Sequence, residues 1–181
     1  GGLYGRFDAD TVLSLGAGAG ANPQLEPVYT AELRARYLDS AGLVVAPEWN
    51  PEGDAAIAVL AEIRPLFLAR FATNSFLASR WLDLTIDSVG LELGTWLGPL
   101  QRGLGAALAV GAGIDFPLEL ADGSARGLWL RIGMRYVHAA HTWIDSPSGG
   151  RNQALFYALC YYRLGMNTGL AGWETKRYAM P

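Results

Sequence analysis

The chain has 181 residues, 51% hydrophobic and only 17% charged, with 14 basic and 17 acidic residues and a net charge of −3. No basic stripe is present, which excludes a nucleic-acid partner on electrostatic grounds. No run of about 18 apolar residues is present either, which argues against a transmembrane helix.

High apolar content without a spanning helix fits a barrel, whose apolar residues are spread over alternate positions. From Leu3 one face reads Leu3, Phe7, Ala9, Leu13, Leu15, Ala17, Ala19. The other carries Arg6, Asp8, Asp10, Ser14, Gly16, Gly18 and Gly20. A period of two is the mark of a strand. Glycine on the polar face leaves room inside a narrow barrel. In the second strand Tyr29, Ala31, Leu33, Ala35 and Tyr37 alternate with Thr30, Glu32, Arg34 and Arg36. Asp39–Gly42 reads as a tight turn, Leu43–Trp49 as a third strand, and Asn50–Asp54 as its end.

A fourth segment sets Ile57, Val59, Ala61, Ile63 and Phe67 against Glu62, Arg64 and Arg70. Pro65 cannot donate to a ladder, so a bulge or a departure from the sheet is expected there. Residues 73–80 read as a connection. A fifth strand begins with Asp83, Thr85 and Asp87 inward. Its parity flips near Ser88, to Val89, Leu91 and Leu93 outward and Glu92 inward; a β-bulge or a short turn would do this. Gly98-Pro99 turns the chain, and Leu104 to Phe116 is a sixth strand. Asp122-Gly123 is a hairpin signal.

The seventh strand, from Gly127, puts Leu128, Leu130, Ile132, Met134, Tyr136 and His138 on one face. Trp129, Arg131, Gly133, Arg135 and Val137 form the other. After the loop around Pro147, Asn152–Leu164 is the eighth. The fold class is therefore all-β: an eight-stranded antiparallel up-and-down transmembrane barrel over residues 1–164, with a C-terminal tail, 165–181. Cys160, alone in the chain, cannot form an internal disulfide and reads as a small buried hydrophobe.

A soluble carrier barrel would turn its apolar face inward. Here the polar face has acids and arginines in similar numbers, and Lys176 is the only lysine. Arginine suits forked pairing with carboxylates. The expectation is a plugged lumen holding Glu32, Arg34, Arg36, Glu62, Arg64, Asp83, Asp87, Arg131 and Arg135, with Asp8, Asp10, Glu92, Arg6 and Arg70 on the same face. Tyr29, Tyr37, Trp49, Trp96, Phe116 and Trp143 fall near strand ends, as interfacial girdles do. The expected location is the bacterial outer membrane, the sequence being taken as the mature chain after removal of its export signal. His138 and His141 face opposite sides of a strand, so no metal and no cofactor are expected.

Over residues 127–164 the sequence resembles the PagL-type outer-membrane lipid A 3-O-deacylases. Arg135, Tyr136 and His138 match that family's Arg-aromatic-x-His motif. Pro147 matches the proline of the family's next loop, and Leu155-Phe156-Tyr157 its final aromatic strand. The resemblance implies an eight-stranded barrel that removes an ester-linked acyl chain from lipopolysaccharide, with His138 as base. The chain departs from the pattern at the nucleophilic serine, where Ala140 stands, at the asparagine, where His141 stands, and at the orienting glutamate, near Arg151 or Asn152. A nucleophile, a base and an orienting group must lie within hydrogen-bond reach. Thr142 shares the face of His138 but lies about 13 Å along the strand, and Ser146 and Ser148 fall in the loop. The first expectation is thus a non-enzymatic structural or scaffold component of an envelope assembly. Its partners would be membrane lipid or lipopolysaccharide and proteins of the outer membrane or periplasm. A lipid A deacylase-like hydrolase is the alternative.

Overall fold

A computed structural model describes residues 9–77, 79–98, 105–120, 125–138 and 153–169. Its strands are β1 (Thr11–Ala21), β2 (Pro27–Tyr37), β3 (Ala41–Trp49), β4 (Ala55–Ile63), β5 (Gly90–Leu97), β6 (Ala106–Leu120), β7 (Gly127–His138) and β8 (Gln153–Met166). Two helices, α1 (Pro65–Thr73) and α2 (Arg80–Asp87), lie between β4 and β5. The sheet is a closed barrel in chain order, every pair antiparallel, with β1 closing on β8. Closure removes the free edges that an open sheet leaves.

Alternation decides which way each side chain points. In β2, Thr30, Glu32, Arg34 and Arg36 are buried while Tyr29, Leu33 and Tyr37 are exposed. In β7, Trp129, Arg131 and Arg135 are buried while Ile132 and Met134 are exposed. The molecule is inside-out: charge fills the interior and leucine covers the outside. The interior also holds two apolar clusters, one around Trp129, Tyr157, Leu159 and Tyr161, the other around Val44, Ala58, Leu60 and Ala109.

At the closing seam the pairs are Gly16 with Tyr161, Gly18 with Leu159 and Gly20 with Tyr157. A Cβ on Gly20 would lie 2.8 Å from Tyr157 Cβ and closer still to the Phe156 carbonyl oxygen, so glycine is what lets the β8 backbone approach β1 this closely.

At Pro65 the expected departure from the sheet is what occurs, and several other expectations are corrected. The fourth strand stops at Ile63, and Pro65 opens α1. Proline suits the first helical turn, where its missing N–H has no partner to lose. Phe67, read as outward, is buried on α1, and Arg70 lies on the same helix. Asp83 and Asp87 belong to α2, four residues apart on one helical face, not to a strand. The parity flip near Ser88 is the change from helix to strand: Ser88 caps α2 and β5 starts at Gly90. Cys160 is exposed on the outer wall, because the even positions of β8 point outward.

Candidate functional site: the charged lumen

Among the described residues, six arginines (Arg34, Arg36, Arg64, Arg131, Arg135, Arg163) and six carboxylates (Glu32, Asp39, Glu48, Glu62, Glu92, Asp115) are buried in the interior. The set is formally neutral. That matters because a buried charge is tolerated only when its desolvation is offset by close, hydrogen-bonded partners.

Toward the end of the barrel that carries Thr11 and Met166, Asp115 is the hub. Its Oδ1 accepts from Arg131 Nη1 at 2.6 Å, and its Oδ2 from Arg64 Nη2 at 2.5 Å. Arg163 lies 3.5 Å and Arg36 3.7 Å from the same Oδ2. Arg64 also donates to Asp39 at 2.9 Å, and Arg163 to the other oxygen of Asp39 at 3.3 Å. Arg64 follows the last residue of β4, so its side chain reaches back into the mouth of the lumen. Burial, and then repulsion from Arg36, lowers its guanidinium below the usual arginine range, with Asp39 and Asp115 opposing. The guanidinium of Arg163 also lies 3.8 Å over the Trp129 ring.

At mid-height Glu62 accepts from Arg36 Nε at 2.7 Å and lies 3.1 Å from Arg34 Nη1. Glu92 Oε1 accepts from Arg131 at 2.7 Å and from Arg34 at 2.9 Å. Arg34 also pairs with Glu32 on its own strand. Beyond these, Arg135 pairs with Glu48 and with Glu32, the latter at 3.1 Å, and lies over the Tyr157 ring. Trp96 Nε1 donates to Glu48 at 3.1 Å. Trp96 therefore points inward, against its expected place in an outer girdle. The flip at Ser88 sets positions 92, 94 and 96 inward.

Of the expected set, Glu32, Arg34, Arg36, Glu62, Arg64, Arg131 and Arg135 lie together in the lumen, with Glu92. Asp83 and Asp87 do not. Both pair with Arg70 across the two helices, Asp87 at 2.7 Å. Asp10 sits at the rim and binds the chain after β8. Its oxygens accept from the N–H groups of Thr168 at 2.7 Å and Gly169 at 2.8 Å, and from the Thr168 hydroxyl at 3.0 Å. The backbone bond from Thr168 is the main cause that lowers the Asp10 carboxyl below its ordinary range. Arg6, Asp8 and Trp143 lie outside the described residues.

Sequence reasoning did not single out Asp39, Glu48, Asp115 or Arg163. Strand parity marks three of them: Asp115 lies between outward Ile114 and Phe116, Arg163 next to outward Leu164, and Glu48 next to outward Trp49. Asp39, in a turn, had no such mark.

His138 ends β7, exposed on the outer face, its ring stacked 6.3 Å from that of Tyr136. Ala140, His141, Thr142, Ser146, Ser148, Arg151 and Asn152 lie outside the described residues. Among the described residues no group of His, Cys, Asp and Glu side chains is placed to hold a metal ion.

No protein-family model matches the chain, and no curated protein matches it. Among solved structures it is similar to the N-terminal β-barrel domain of Pseudomonas aeruginosa OprF. The match has 8% identity and a TM-score of 0.51, over 86% of this chain and 98% of that domain. The de novo designed TMB2.3 matches with 13% identity and a TM-score of 0.43, over 86% of this chain and 96% of that one. Closed, inside-out and built of eight antiparallel strands, the chain has the fold of an outer-membrane-type β-barrel.

Proposed function

We propose that the protein is a bacterial outer-membrane barrel with a side-chain-plugged lumen, acting as a structural or scaffold component of an envelope assembly. The observation that carries this reading is the inside-out distribution of charge. Leu15, Leu33, Leu43, Leu93, Leu108, Ile132, Phe156 and Leu164 stand exposed around the wall. Water makes such a surface costly, whereas lipid is its natural solvent. An eight-stranded interior is just wide enough to be filled by side chains, and here paired arginines and carboxylates fill it. A lumen closed in this way serves a wall or a mount better than a pore.

The test is purification of the tagged chain from outer membranes in mild detergent. The expected result is recovery from the membrane fraction with a reproducible protein partner. Recovery in the soluble fraction would overturn the location; recovery of membrane-inserted barrel alone would overturn the scaffold role. Reconstituted in planar bilayers, the protein is expected to give no steady conductance, and a steady open level would overturn the plugged lumen.

A second reading, deacylase-like ester hydrolysis of lipopolysaccharide, is supported by the exposure of His138 on the outer wall, where a lipid substrate would approach. It predicts acyl release from purified lipopolysaccharide that His138→Ala abolishes. No release by the wild type rules it out.

A further inference from the structure

We infer that the α1–α2 hairpin is a membrane-interface anchor: its outer face lies in the headgroup–acyl boundary beside the barrel and binds the lipid surface. The inference rests on the membrane reading of the barrel and adds a second lipid-binding element to it. Leu66, Leu68, Phe71, Leu77, Trp81 and Leu82 are all exposed on this segment, Phe71 at 53% and Leu77 at 59%.

The position of the hairpin identifies the occupant. The β5–β6 ladder ends at the pair Gly90–Gly113, so β6 runs on from Ile114 to Leu120 with no β5 residue beside it. α2 takes the place of the missing strand. Ser88 Oγ donates to the Asp115 carbonyl at 2.7 Å and accepts from the Asp115 N–H at 2.8 Å. Trp81 Nε1 donates to the Pro117 carbonyl at 2.9 Å, and its ring lies 6.2 Å from that of Phe116. Phe116 and the exposed Leu118 belong to the outer face of β6. The apolar face of the hairpin therefore continues the barrel's apolar wall, and the solvent that covers one covers the other.

Charge agrees. Between Arg64 and Val89 the only carboxylates are Asp83 and Asp87, and both are buried against Arg70. No carboxylate of the hairpin faces the headgroups, and Trp81 has the amphipathic ring that interfaces favour.

The test uses the full chain with Cys160→Ser, carrying one cysteine at Phe71→Cys or, as control, at Ile132→Cys in the middle of β7's outer face. Each is labelled with an environment-sensitive fluorophore and inserted into phosphatidylcholine–phosphatidylglycerol vesicles. At position 71 the expected result is loss of emission to a shallow lipid-borne nitroxide and protection from aqueous iodide. Leu82→Cys, on the second helix, repeats the measurement should the first variant fold poorly. Iodide access at 71 and 82 with lipid quenching at 132 would overturn the anchor and leave the membrane barrel standing. Absence of lipid quenching at 132 would overturn the membrane reading itself, and the anchor with it.

Discussion

Asp115 and Arg131 stand directly opposite one another in the β6–β7 ladder, and their side chains meet inside the barrel at 2.6 Å. The backbone register thus brings an anion and a cation together before any tertiary adjustment, and Arg64 then closes on the same carboxylate from the barrel's mouth. Removing Asp115 would leave several guanidinium groups with one fewer anion in a buried space. Breaking one side of a buried pair costs about 3–5 kcal/mol. Asp115→Ala is expected to lower the unfolding midpoint in urea by a corresponding amount, measured in detergent micelles. A midpoint equal to wild type would show the lumen to be more hydrated than its burial implies.

Arg70 ties the two helices together through Asp83 and Asp87. Arg70→Ala is expected to loosen the hairpin while the barrel stays closed, because none of these three residues contributes to a strand ladder. The expected cost is about 1–3 kcal/mol, the usual range for losing a hydrogen bond to a charged group, with Asp83 Oδ1 still accepting from the N–H of Leu77. Limited proteolysis reads it directly: faster cleavage within 65–87, with the two resulting pieces, β1–β4 and β5–β8, resistant to further cutting.

The rim contact of Asp10 is pH-dependent, with a definite sign. Its carboxyl is lowered in the folded protein by the N–H of Thr168, the Thr168 and Thr11 hydroxyls and the N–H of Gly169, against burial. A depressed folded value means that the contact is at full strength above the ordinary carboxylate range. It is lost as pH falls through the lowered value. Amide hydrogen exchange at Thr168 and Gly169 is expected to lose protection on acidification. Asp10→Asn is expected to remove that pH dependence.

The closing seam has no spare volume at Gly20. Gly20→Val places its Cβ 2.8 Å from Tyr157 Cβ and 2.9 Å from Tyr157 Cα. Overpacking of this kind typically costs about 1–3 kcal/mol. The variant is expected to show a lower heat-induced mobility transition on a gel than wild type. Ala19→Val, a neighbour on the outward side of the strand, is expected to be close to neutral.

Much of this protein is determined by the sequence alone, because the strand has a period of two and the barrel has only two sides. Alternation in β2 and β7 assigns Glu32, Arg34, Arg36, Arg131 and Arg135 to one side and Tyr29, Leu33, Ile132 and Met134 to the other. Near charge balance and the scarcity of lysine then place the charged side in the lumen. What alternation cannot register is a change of period. Between Ile63 and Gly90 the chain winds into α1 and α2, and Asp83 and Asp87, which mimic inward strand positions, instead share a helical face toward Arg70. Only the tertiary structure decided that, since the helices owe their place to the uncovered end of β6 and to contacts with Phe116 and Pro117. The same holds for the partners within the lumen. Parity fixes that Asp115 points inward, but its meeting with Arg64, Arg36 and Arg163 depends on closure of the barrel. Closure brings residues far apart in the chain within hydrogen-bond reach and removes the water that would otherwise screen them.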